Sequence, residues 1–141
     1  MLLCDAAESV GGKLYIIGAG WSQILVPDHP VNMSLAVKLE ISWHQANDPH
    51  RVVARLLNGD GEQVMLSGQD GEDGEPIPVL NEVRVETGRP PGLAPGTNLD
   101  APFVFNFQGL RLSAGSYVWE LEVEGNVEAR AAFRVGPPNR R

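Results

Sequence analysis

Glycine-spaced carboxylates are the residues in this chain whose types and spacing most suggest chemistry. Asp70, Glu72, Asp73 and Glu75, in the run GQDGEDGE, supply the oxygen ligands that Ca²⁺ takes. Their spacing matches no EF-hand, since the glycine and the distal bidentate glutamate are misplaced. Closing a flexible loop round an ion also costs chain entropy. The run therefore reads as a solvated acidic loop, and these four residues are the one metal candidate that the sequence offers.

Gly18-Ala19-Gly20 has the opening of a dinucleotide fingerprint, but its third glycine would fall at Gln23. Ile24-Leu25-Val26-Pro27 then follows where a helix N-terminus should hold the pyrophosphate, so no cofactor is expected. His29, His44 and His50 form no H-x-x-x-H pair and share no motif with Cys4. Ser22, Ser67, Ser113 and Ser116 lack a G-x-S-x-G elbow, so no catalytic residue can be assigned. Trp21, Trp43 and Trp119 could line a ligand pocket, yet each lies on an alternating strand and reads as core.

The elements that must position these residues are strands. Period-2 alternation recurs between clusters of Gly, Pro, Asn and Asp, and no window repeats apolar residues at helical spacing behind a cap. Lys13 to Leu25 is apolar on both faces and predicts a central strand covered by its neighbours, with a bulge or sheet-switching bend at Gly18 and Gly20. Leu2 to Ala7 predicts a first strand, with a turn over Ser9 to Gly12. Met33 to Trp43 predicts a strand with Met33, Leu35, Val37, Leu39, Ile41 and Trp43 inward and a wet opposite face.

NGDGE at 58 to 62 predicts a hairpin between Arg51–Leu57 and Gln63–Leu66. A short strand is expected at Glu82 to Thr87. Gly88 to Pro102, with four prolines and three glycines, must cross the surface, as connections that change sheets do. Phe103, Phe105 and Phe107 then share one inward face.

Tyr117, Trp119, Leu121 and Val123 oppose Val127, Ala129, Ala131, Phe133 and Val135 in the last hairpin. Opposed residues share a face, so their numbers must have an even sum, for example 121 with 129 or 131. A two-residue Gly125-Asn126 loop gives an odd sum, so the parity predicts a bulged three-residue loop with Gly125 or Asn126 at positive φ. Either even register sets an outward glutamate against Arg130.

The net charge is −7. Eight acidic residues against Arg84 alone between Asp60 and Glu86 account for all of it, which disfavours nucleic-acid binding. No apolar run approaches the roughly 18 residues of a membrane helix, and no basic n-region with an apolar stretch precedes Cys4, so no membrane association is expected. Cys4 is the sole cysteine, which excludes an internal disulfide and points to a reducing cytoplasm.

Three pieces, LLCDAAESVGGKLYIIGAGWS, RLLNGDGEQV and LSAGSYVWELEVEG with AAFRV, resemble a family of small, uncharacterised bacterial all-β proteins, a domain of unknown function. The resemblance implies a β-sandwich of immunoglobulin-like topology and carries no ligand or catalytic residue with it. Leu112 to Tyr117 looks like a tyrosine corner. The expectation is one two-sheet sandwich of about eight or nine strands over residues 1–136, with a flexible tail at 137–141. Gly18, Gly20, Trp21, Trp43, Tyr117 and Trp119 are its structural residues. Its expected role is that of a non-catalytic protein-interaction or assembly module, with a protein partner or a second copy. A small-ligand or Ca²⁺-binding module using residues 70–75 is the alternative, and a hydrolase with a cryptic site comes third.

Overall fold

Alternation becomes strand pairing along most of the chain. The computed structural model describes residues 1–25, 29–67 and 75–137. In chain order the strands are β1 (Leu2–Val10), β2 (Lys13–Ala19), β3 (Gln23–Leu25), β4 (Val31–Ile41), β5 (His50–Asn58), β6 (Met65–Ser67), β7 (Pro76–Pro78), β8 (Leu80–Val85), β9 (Leu99–Leu110), β10 (Gly115–Val123) and β11 (Asn126–Gly136). One sheet has the order β2-β1-β4-β9 and the other β3-β11-β10-β5-β8, while β6 and β7 pair alone. Among the described residues no helix is long and apolar enough to cross a membrane.

The core lies between the two larger sheets. Met33, Leu35 and Val37 of β4 and Phe105 and Phe107 of β9 pack against Val52 and Leu56 of β5, Trp119 and Leu121 of β10, and Phe133 and Val135 of β11. Trp119, at 0% exposure, lies 4.2 Å from the Phe107 ring, so the aromatic run at 103–107 fills the core as expected. Leu112 is buried, and the Tyr117 hydroxyl donates to Ser113 O at 2.8 Å, which is the expected tyrosine corner. The crossing after β8 does change sheets. It is anchored where the Arg89 guanidinium lies 4.5 Å over the Trp43 ring and donates to Trp43 O.

The stretch from Lys13 to Leu25 is not a central strand. Among the described residues β2 is an edge, paired with β1 alone, and its residues are exposed or half-buried. The expected bend is present: Gly18 and Gly20 have φ of 67° and 92°, after which β3 joins the opposite sheet parallel to β11. The strand β1 runs on to Val10, so the turn is Gly11-Gly12 instead of Ser9 to Gly12.

The β1–β2 hairpin also leaves the plane of its sheet. The register that pairs Leu2 with Ala36 would carry Ser9 to the level of position 29, nine positions or about 30 Å from Lys38. Instead the Ser9 hydroxyl donates to the carbonyl of Pro102, the partner of Lys38, at 3.3 Å. The hairpin therefore bends beyond Cys4 and passes over β4 to reach β9. Ser34 and Ala36, on the side of β4 turned from the core and expected to be wet, are buried for this reason. Ser34 Oγ donates to Asn106 Oδ1, and the Cys4 thiol donates to Ser34 O.

Three further expectations change. Trp43 lies in a 3₁₀ turn, Trp43–Gln45, because β4 ends at Ile41, and it is half-buried under Arg89 instead of inward on a strand. The 58–62 hairpin is reduced to one bridge, Leu57 with Gln63, since β6 turns aside to pair with β7. In the last hairpin Leu121 opposes Ala129 and Glu120 opposes Arg130, one of the two even registers expected, and Gly125 has φ 82°. The loop itself has two residues, Glu124-Gly125, and the extra residue that parity requires is a bulge at Glu128.

Candidate functional site

Four strands end the two larger sheets, and three of them are blunted against pairing with another chain. β9 carries Asp100 and Pro102, β8 alternates Glu82 and Arg84, and β3 spans three of the described residues. By contrast β2 is seven residues long, contains no proline and has Lys13 as its one charge.

The exposed face of this edge follows from its register. Ile17 lies opposite Ala6, Tyr15 opposite Glu8 and Lys13 opposite Val10. Ile17 is 70% exposed, Tyr15 56% and Val10 51%, so one side of the hairpin is an apolar strip with a charge at each flank. Leu14 and Ile16, on the other side, are half-buried. An apolar strip beside a free row of backbone donors and acceptors is what strand addition requires.

A second feature lies at the end of the sandwich nearest the last turn. Lys38, Leu39, Glu40, Ile41, Gln45, His50, Val123 and Glu128 line an open cleft of about 320 Å³. The bulge turns Glu128 into this wall, a side chain that strict alternation would have pointed away. Lys38 is held by Asp100 at 3.0 Å, whose hydrogen bond keeps the ammonium above its ordinary range. His50 Nδ1 is 3.8 Å from Glu124 Oε1, and among the described residues its buried Nε2 has no hydrogen-bond partner.

The expected site residues do not meet in one place. Asp70, Glu72 and Asp73 lie outside the described residues, as do positions 138–141 of the expected tail, and Glu75 is exposed beside β7. Trp119 and Tyr117 are core, and half-buried Trp21 packs edge-on against Phe133 at 6.1 Å. Gly18 and Gly20 shape the switch that frees β2. The other walls of the His50 cleft come from β4, β10 and β11, so no local spacing marks it.

Residues 1–136 match the profile of a family of unknown function, DUF6941. No curated protein and no solved structure matches the chain.

Proposed function

We propose that this chain, which belongs to the family of unknown function DUF6941, is a non-catalytic β-sandwich that acts through protein contacts in the reducing cytoplasm. The contacts are made by the outer face and free edge of the β1–β2 hairpin. The observation that carries this is the contrast among sheet edges: β2 alone is long, free of proline and nearly uncharged, and it bears exposed Tyr15 and Ile17. The order β1-β4-β9 facing β11-β10-β5, together with the Tyr117 tie, supports an immunoglobulin-like reading of the sandwich.

The non-catalytic reading draws on side-chain geometry. Among the described residues no three His, Cys, Asp or Glu side chains converge as a metal-ligand set, and no serine or cysteine is hydrogen-bonded to a histidine.

The test compares the tagged parent with Ile17→Lys, each recovered from cells that make it. Proteins held by the parent are lost with the variant, while its melting temperature stays within about 2 °C because Ile17 is exposed. An identical set of proteins on both would overturn the assignment.

The cleft at His50 supports a second reading, a small polar ligand bound beside Glu128, because the polar side chains of Lys38, Glu40, His50 and Glu128 line it together. A small amine or carboxylate that raises the parent's melting temperature but not that of Glu128→Gln would favour it. Equal shifts in both proteins would remove it.

A further inference from the structure

We infer that the partner of the β2 edge is a second copy of the chain, paired antiparallel about a two-fold axis at Ile16; this rests on the protein-contact reading given above. An isologous contact requires a surface that is complementary to itself. β2 runs from Lys13 to Ala19, so its midpoint is Ile16, and a two-fold there pairs all seven residues with their counterparts. Tyr15 then stands opposite Ile17 of the second copy, twice, and an aromatic residue against a β-branched one is a favourable cross-strand pair. Lys13 stands opposite Ala19, so no like charges meet.

The alternatives are worse on this chain. A two-fold moved to Tyr15 or Ile17 leaves part of the strand unpaired and sets Tyr15 or Ile17 against itself. An axis between residues sets Tyr15 against Ile16 and puts exposed and half-buried faces on the same side. The charge distribution makes the same choice. A net charge of −7 opposes association of two copies over most of the surface, whereas β2 carries only Lys13. The pairing joins two four-stranded sheets into one of eight strands and sets the exposed Tyr15 and Ile17 of each copy beside those of the other.

Sedimentation of the purified chain from about 1 µM to about 1 mM tests the association. A dimer should form with rising concentration and strengthen with salt, which screens the acidic bodies from each other. Ile17→Lys should weaken it by about tenfold or more, since a lysine on an edge strand opposes pairing. The register is read separately in a Cys4→Ser background, because Cys4 lies opposite Ala19 within the hairpin and would compete. There Lys13→Cys combined with Ala19→Cys should form a covalent dimer on oxidation, and either cysteine alone should not. Six residues separate the two positions along one strand, about 20 Å, which excludes a bridge within the chain.

A parent that stays monomeric throughout overturns self-pairing; should Ile17→Lys still lose a different protein from cells, the contact reading survives with another partner. A dimer insensitive to Ile17→Lys, or a dimer that forms no disulfide in the double cysteine variant, overturns the pairing about Ile16.

Discussion

Asp5 faces Gly18 across the β1–β2 hairpin, and its carboxylate occupies the space that a Cβ on Gly18 would fill. Gly18 also has φ 67°, a conformation that β-branched residues rarely adopt. Gly20, at φ 92°, has open space around its missing Cβ. Gly18→Val and Gly20→Val should therefore each cost more than about 1 kcal/mol in urea unfolding, with Gly18→Val the larger. Adding Asp5→Ala should narrow the gap between them without removing the cost. Near-neutral results at both glycines would contradict the bend.

Tyr117→Phe removes one hydroxyl and leaves the ring stacked on Phe133 at 5.4 Å. The loss of the bond to Ser113 O should cost about 0.5–1.5 kcal/mol with an unchanged denaturant slope. A smaller change would mean that the turn before β10 is held by packing alone.

Cys4 is buried beside Ser34, and burial first, then the nearby Asp5 charge, raise its thiol above the usual 9.0. A group whose pKa is raised by folding contributes fully below its unfolded pKa and loses that contribution as pH climbs through the folded one. The parent should thus lose stability above about pH 9, and Cys4→Ser should flatten that alkaline decline while keeping the fold. Reductant should leave the parent folded, there being no disulfide to break. An alkaline decline of equal size in Cys4→Ser would assign it to other groups.

Glu82 accepts two hydrogen bonds from Arg51 across β5 and β8, which hold its carboxyl below the usual carboxylate range. A pKa lowered by folding contributes above the unfolded value and is lost as pH falls through the folded one. Glu82→Gln should shrink the loss of stability between about pH 5 and pH 2 and leave the neutral region almost unchanged, since the pair is exposed. An acid profile identical to the parent's would show the pair to be energetically silent.

The inward residues of β4, β9 and β10, and those of β11 from Ala129 on, were legible because alternation reports which face is buried whenever a sheet has one wet side, whereas Val127, expected inward, lies beyond the bulge opposite Glu122 and is exposed. Alternation failed at β2, where Tyr15, Ile17, Leu14 and Ile16 look like a strand covered on both sides. Apolar residues on both faces say that both want cover, and cannot say whether the chain itself supplies it. Parity required an even register and left Leu121 against Ala129 or Ala131, and a three-residue loop and a bulge at Glu128 satisfy it equally, so the wall of the His50 cleft could not be foreseen. Ser34 and Ala36 were misjudged for a tertiary reason, the hairpin folded over them.

The three residues of β3 have one neighbour, β11, and Arg134 N donates to Ser22 O at 2.8 Å just before them. Ribosomal synthesis releases the two partners about 110 residues apart, an interval of about 5–20 s at ordinary elongation rates. Throughout that interval the first hairpin can close on its own Gly11-Gly12 turn, while Gln23–Leu25 has nothing to join. The clasp between Gln23–Leu25 and Arg134–Gly136 therefore waits until β11 has left the ribosome, and a transcript cut short before Arg134 yields a nascent sheet with that seam open.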